Sequence, residues 1–308
     1  MTEFRKVALP TGVTLNVALD GPADAPPVIL LHGFPESHRT WRGVAPLLRD
    51  QFRLVMPDQR GFGASDQPQD VDAYRTDQVV ADLFALADAL GVATFALVGH
   101  DWGGAVAWAA AIRGPEIKGG PRIERLAIVN APHPVIFQKS LVEDAGQRAA
   151  SQYITAFRTP GFEKAVEAMG FKRFFDKSFA PHVDLATIPA AERAQYIAEW
   201  RQPGALTAML NWYRASHLIV PPPVVTIPIP DWVLGAFPKV RIPVRVIWGM
   251  EDRALLPLQL EGLERLVEQL EIVRLPGVGH FAPWTAAEQV AAALGPFLAG
   301  ESEAKRGP

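Results

Sequence analysis

The residues best suited to chemistry stand where short apolar runs end. Leu97-Val98-Gly99-His100-Asp101-Trp102-Gly103-Gly104 reads as a buried strand, a sharp turn and a helix start, with small residues flanking one reactive side chain. Such an elbow holds its central residue in a strained backbone conformation, and the crowding around that residue is what demands glycine. The central residue here is Asp101, and no serine in the chain has glycine both two before and two after it. A carboxylate is a poor nucleophile toward an amide or ester carbonyl, but it can displace at a saturated carbon and become an ester. Alkyl halides, haloacids and strained epoxides are suitable electrophiles. The plainer reading, an aspartate that only caps a helix, leaves the surrounding glycines unexplained.

An ester left on the protein must be hydrolysed, which requires a base and a group to orient it. Ile247-Trp248-Gly249-Met250-Glu251-Asp252 follows one buried run, and Gly277-Val278-Gly279-His280-Phe281 precedes the last helical stretch. The order Asp101, Asp252, His280 is nucleophile, acid, histidine, as in the α/β-hydrolase fold. Glu251 is the local rival to Asp252, and the shorter side chain is preferred. Backbone N–H groups of Trp102, after the nucleophile, and of Phe34, in the turn His32-Gly33-Phe34-Pro35, would form the oxyanion site.

These positions need a frame, and the hydrophobic pattern supplies one. Val28–Leu31, Phe52–Met56, Phe95–Val98, Arg125–Val129 and Val244–Trp248 read as buried strands, with a sixth near 271–275. Helical spacing marks residues 75–91, 105–112, a stretch near 257–269 and one near 286–299. The expectation is an α/β fold, a mainly parallel sheet flanked by helices. The alternation stops over 131–240, which reads as helices near 139–157, 161–175, 189–199 and 204–217, followed by a proline-rich stretch. That interval is too long for a loop, so it is expected to be an inserted helical cap between core parts 1–130 and 241–300, with a tail at 301–308.

Composition narrows the function. The 308 residues carry 30 Lys and Arg against 33 Asp and Glu, a net charge of −3 that argues against nucleic-acid binding. Cysteine is absent, which excludes disulfides, thiolate metal sites and a cysteine nucleophile. No apolar run is long enough to span a membrane and no signal peptide is visible, so a cytoplasmic protein is expected. Glycines 61 and 63 lack the lysine and the third glycine of nucleotide-binding loops, and no cofactor or metal is expected. No coiled coil or interface segment indicates an oligomeric state.

His32-Gly33-Phe34-Pro35-Glu36-Ser37…Trp41-Arg42, Asp58…Arg60-Gly61-Phe62-Gly63…Ser65 and Gly99-His100-Asp101-Trp102-Gly103-Gly104 together resemble the soluble epoxide hydrolases of the α/β-hydrolase superfamily. The resemblance covers roughly residues 7–299. It implies two cap tyrosines that hydrogen-bond the epoxide oxygen as the ring opens. Of the four tyrosines, Tyr153, seven residues before Pro160-Gly161, and Tyr213, in Asn211-Trp212-Tyr213-Arg214, are similar to that pair; Tyr74 and Tyr196 do not fit. Phenols with unperturbed pKa near ~10 can donate at neutral pH without being charged. The expected partners are an apolar epoxide and water, the product a vicinal diol.

Two alternatives share parts of this reading. A haloacid or haloalkane dehalogenase would use Asp101, His280 and Asp252, but haloalkane dehalogenases usually carry Asn where Phe34 stands. Fluoroacetate dehalogenases resemble the chain at His32–Pro35 and Asn130–Pro134, yet usually carry Arg where Trp102 stands. A hydrolase-fold protein that only binds its ligand is the alternative of another class. His100 and His133 are expected to satisfy buried loop hydrogen bonds.

Overall fold

The computed structural model describes residues 2–114 and 119–301 of the chain. Among them, eight strands form one sheet: β1 (Glu3–Ala8), β2 (Thr14–Asp20), β3 (Pro27–Leu31), β4 (Arg53–Pro57), β5 (Thr94–His100), β6 (Arg122–Val129), β7 (Val240–Gly249) and β8 (Val267–Leu275). Their spatial order is β1-β2-β4-β3-β5-β6-β7-β8. The pairs β1·β2 and β2·β4 are antiparallel, and every pair from β4 to β8 is parallel.

Continuous apolar runs such as Val28-Ile29-Leu30-Leu31 arise because these strands are covered on both faces. Alternate residues enter different cores: Ile29, Leu31, Val55 and Leu97 join one apolar cluster, while Val28, Leu30, Leu54 and Val98 join the other. The direction of winding reverses between β3 and β5, and the crevice beyond the carboxyl ends of such strands is where α/β sheets place their ligands. Register does the rest. Leu31 pairs with Gly99, Val129 with Ile247, and Gly249 with Leu275. The residues just after each strand therefore converge at one edge.

Between β6 and β7 the described chain has no strand and runs through short helices: Pro134–Glu143, Ala145–Ala150, Gln152–Arg158, Phe162–Met169, Phe171–Phe179, Ala190–Trp200, Ala205–Ala215 and Asp231–Leu234. The single helix expected near 139–157 is three, beginning earlier at Pro134. Asp144 stops the first and starts the second, its carboxylate accepting the Gln147 N–H at 2.6 Å. This region is tied to the rest by indole and amide donors: Trp200 Nε1 to Pro35 O at 2.8 Å, Trp212 Nε1 to Arg60 O at 3.0 Å and Asn211 Nδ2 to Gln69 O at 3.0 Å.

Two further expectations need correction. The stretch 257–269 is not a helix but two 3₁₀ turns, Pro257–Leu260 and Leu263–Arg265, before β8. Gly262 takes a left-handed conformation (φ 84°), which ends any helix there, and pairing with the long β7 overrides the helical pattern of Leu263, Leu266 and Val267. The antiparallel β1 and β2, which the pattern reading passed over, form one end of the sheet; β1 is mostly exposed and so lacks a buried apolar run. Residues 302–308 of the expected tail lie outside the described residues.

Candidate active site

β5 runs into the helix Trp102–Arg113 through Asp101, whose φ of 50° and ψ of −121° are a conformation that side-chain-bearing residues rarely adopt. The elbow is tight on every side. A Cβ on Gly99 would run into the backbone of Gly103, one on Gly103 into Leu31 O, and one on Gly104 into Ala131 Cβ. Those three glycines let the helix start directly above β3 and β5, so that the Asp101 side chain stands at the edge of the sheet.

The turn after β3 is shaped by His32. Its Nε2 accepts the Gln59 N–H at 3.0 Å, which leaves Nδ1 to donate to Gly33 O at 2.9 Å. The buried ring is held neutral, its pKa lowered to about 4 by burial. Gly33 has no room for a Cβ beside Asp101, and the Phe34 N–H donates to Asp101 Oδ1 at 2.7 Å. The Trp102 N–H also bonds the Asp101 carboxylate. The two backbone donors expected at Phe34 and Trp102 thus face the same carboxylate.

His280, on the loop between β8 and the helix Ala287–Leu298, brings Nε2 to 3.7 Å from Asp101 Oδ2. Its Nδ1 lies 2.8 Å from Asp252 Oδ2. Asp252 is fixed in turn: Oδ1 accepts the Ala254 and Leu255 N–H groups, each at 2.9 Å, and Oδ2 also accepts from Asn130 Nδ2 at 2.8 Å. Glu251 is exposed and makes none of these bonds, so the shorter carboxylate occupies the orienting place.

Electrostatics follow from burial and charge together. Burial raises the Asp101 pKa, against the pull of His280 and the two amide donors. Burial works against charge on His280, but Asp252 by charge and hydrogen bond, and then Asp101, outweigh it and carry its pKa up to about 9. Asp252 is held below the usual carboxylate range despite burial, by His280 and by its N–H donors.

Tyr153 and Tyr213 come from separate helices and meet opposite Asp101, ring centroids 6.0 Å apart and nearly perpendicular. Tyr213 also packs edge-on against Trp102 and Phe34, each at 5.1 Å. Burial raises both phenol pKa values well above normal, with the Asp101 charge adding to the shift, so both stay neutral donors. Asp101, Tyr153 and Tyr213 line one cavity of about 290 Å³. Of the other tyrosines, Tyr74 donates to Pro68 O at 2.7 Å, although its ring touches the cavity, and Tyr196 donates to Glu36 Oε1 at 3.0 Å away from it.

Two neighbours, Asn130 and Glu36, carry no mark of their part in the sequence. Asn130 is the second non-glycine residue with positive φ among those described (44°), and its amide spans Asp252 and the Gly249 N–H. His100 donates its Nε2–H to His280 O at 2.9 Å, the buried loop bond expected of it. His133 caps the helix Pro134–Glu143 through Nδ1. Glu36 is buried beneath this cluster with Oε2 3.9 Å from His100 Nδ1, and burial lifts its pKa to about 7. The Asn130-Ala131-Pro132 run and the Glu after Pro35 were the only sequence signals for them, and neither reveals burial.

The sheet order, the elbow and the Asp–His–Asp arrangement define the class. The alpha/beta hydrolase fold model matches residues 26–287, and the chain belongs to that family. A solved structure of one of the novel epoxide hydrolases of this superfamily from metagenomes of hot environments is 45% identical, with a TM-score of 0.88 over 97% of this chain and 99% of that one. The AB hydrolase superfamily protein YfhM of Bacillus subtilis (strain 168) is 37% identical over 79% of this chain and 80% of its own. Epoxide hydrolase A of Mycobacterium tuberculosis (strain ATCC 25618 / H37Rv) is 29% identical over 94% of this chain and 95% of its own. Among the described residues no helix is long and apolar enough to cross a membrane.

Proposed function

We propose that this protein is an epoxide hydrolase that converts an epoxide to a vicinal diol through an ester on Asp101. The observation that carries this reading is the placement of two neutral phenols, Tyr153 and Tyr213, in the cavity that Asp101 also lines. An opening epoxide develops an alkoxide, a poor leaving group unless it is hydrogen-bonded and protonated, and neutral phenols answer that need. The relatives named as epoxide hydrolases support the same reaction class.

Phe34 N–H engages Oδ1, and Oδ2, the oxygen 3.7 Å from His280 Nε2, attacks a ring carbon. The carbon–oxygen bond of the ring breaks, its electron pair passes to oxygen, and the tyrosine hydroxyls deliver a proton there. Esterification removes the Asp101 charge, one of the causes that hold His280 protonated, so its pKa falls, its proton passes to the tyrosinate left by ring opening, and the neutral imidazole becomes the base. His280 then takes a proton from water as the oxygen attacks the ester carbonyl carbon. The Phe34 and Trp102 amides hold the tetrahedral oxyanion. Collapse frees the diol, which takes the proton from His280, and the second water proton, left on the Asp101 carboxyl, passes to His280, so that carboxylate and imidazolium are both restored. In this reading residues 131–240 form a cap over the core parts 1–130 and 241–300, the substrate lies between them, and the protein works in the cytoplasm.

The test is intact-protein mass spectrometry of His280→Gln exposed to an epoxide, a haloacid and a haloalkane, with Asp101→Asn as control. An adduct of the whole epoxide mass on His280→Gln, absent from Asp101→Asn, is expected. An adduct only from the halogenated compounds, lighter by hydrogen halide, would make the protein a dehalogenase.

A further inference from the structure

Asp101 lines the cavity and His280, among the described residues, does not, although His280 Nε2 stands 3.7 Å from Asp101 Oδ2. An ester on Asp101 places the rest of the substrate in that cavity, so the water that His280 activates needs an approach from the imidazole's own side. Most side chains packed around the imidazole are closed to solvent. His100 and Phe281, each with its ring centroid 5.0 Å away, and Asp252 are all buried. His182 differs: it is half-buried, with its ring 5.5 Å from that of His280 and 5.6 Å from that of Phe281. It follows the helix Phe171–Phe179, its N–H donating to Phe179 O at 2.9 Å. The His182 carbonyl oxygen rests on the loop that carries His280, where a Cβ on Gly279 would stand only 3.1 Å from it.

The two nitrogens of the His182 ring meet different surroundings. Nδ1 is buried and has no hydrogen-bond partner among the described residues, whereas Nε2, equally without a partner among them, is open to solvent. A buried polar atom that the protein leaves unsatisfied is a site for an ordered water. Burial, and after it the His280 charge, lowers the His182 pKa to about 4; Asp252 opposes the shift and Arg253 adds to it. The ring is therefore neutral near pH 7 and does not compete with His280 for the two carboxylates. We infer that His182 is a positioning residue for ester hydrolysis: it holds water at Nδ1 beside His280 and admits it from solvent along the edge of its own ring. The inference rests on the epoxide hydrolase reading and adds where the second reactant comes from. The water oxygen forms the bond to the ester carbonyl carbon, its proton goes to His280, and another water takes the place at Nδ1.

The probes are 1,2-epoxyhexane and styrene oxide, used in single turnovers of the full chain with the ester followed by mass. His182→Phe keeps a ring in place and removes both nitrogens. It is expected to form the ester at the wild-type rate and to break it down about three- to tenfold more slowly, the worth of one hydrogen bond. His182→Asn, whose amide offers a polar atom close to the place of Nδ1, should restore most of that loss. A crystal structure of the wild-type protein should show an ordered water within hydrogen-bond distance of His182 Nδ1. Breakdown as fast in His182→Phe as in wild type overturns the inference, and so does equal slowing of formation and breakdown, failure of His182→Asn to restore the rate, or a dry Nδ1. Each of these leaves the epoxide hydrolase reading intact. If neither epoxide yields an adduct with His280→Gln and neither is opened by the wild type, the underlying reading falls and takes this one with it.

Discussion

Asn130 and His280 share a single oxygen: the Asn130 Nδ2 donor lies 2.8 Å from Asp252 Oδ2, the same atom that lies 2.8 Å from His280 Nδ1. With the Ala254 and Leu255 N–H groups on Oδ1, the carboxylate is bound on both oxygens and cannot rotate away from the imidazole. Loss of a hydrogen bond to a charged group is worth about 1.5–3 kcal/mol, or roughly ten- to a hundredfold in rate when it acts on the transition state. Asn130→Ala should therefore slow ester hydrolysis more than ester formation. Single-turnover kinetics, with the adduct followed by mass, would show the intermediate accumulating; unchanged breakdown would reduce Asn130 to a packing role.

Tyr153→Phe and Tyr213→Phe each remove one donor and leave ring packing in place. Each is expected to slow ester formation about ten- to a hundredfold, with the double variant inactive. Measuring the rate of adduct formation in the His280→Gln background isolates that step. Unaltered rates in both single variants would remove the phenols from the mechanism.

Two groups lose stability as pH rises, in different windows, while the buried neutral His32, His100, His133 and His182, whose pKa values burial lowers to about 4, 3, 3 and 4, act the other way below pH 6.5. The His280 pKa is raised from its ordinary 6.5 to about 9, so its contribution is complete below pH 6.5 and lost as pH passes through 9. Glu36 is an acid whose pKa is raised from 4.5 to about 7, so the fold binds the extra proton and loses that advantage between those values. Thermal melts from pH 5 to 10 should show a wild-type decline between pH 6.5 and 9 that His280→Gln flattens, and Glu36→Gln should favour the fold more at pH 7 than at pH 5, relative to wild type. A wild-type Tm that is flat from pH 6.5 to 9 would contradict the first, and a Glu36→Gln effect equal at pH 5 and pH 7 the second.

Gly103 and Gly114 stand at the two ends of one helix and make opposite predictions. A Cβ at Gly103 meets the backbone of Leu31, which cannot yield, whereas one at Gly114 meets no atom of the described residues within 4 Å, and Gly114 has an ordinary helical φ of −49°. Gly103→Ala should cost about 3 kcal/mol in urea denaturation or yield insoluble protein. Gly114→Ala should be neutral or slightly stabilising.

What the amino-acid sequence disclosed, and what it withheld, follows from the physics of each element. Asp101 stood out because its strained turn requires glycine at Gly99, Gly103 and Gly104, a demand visible as residue type. His280 and Asp252 stood out because both follow short strand-like runs. Glu36 and Asn130 carried no such mark: their significance comes from burial and from partners far away in the chain, 64 and 122 residues off. The helix expected near 257–269 failed because its apolar spacing suited either structure, and only the presence of β7 alongside decides for strand.

The apolar lining of the cavity also bears on how each cycle ends. Ring opening replaces one ether oxygen by two hydroxyls, formed beside Asp101 and the two phenols, and the wall at Ala105, Val106 and Phe137 offers them no hydrogen bond once they leave that end. Diol that detaches therefore favours water over the wall, and accumulated product should inhibit only weakly.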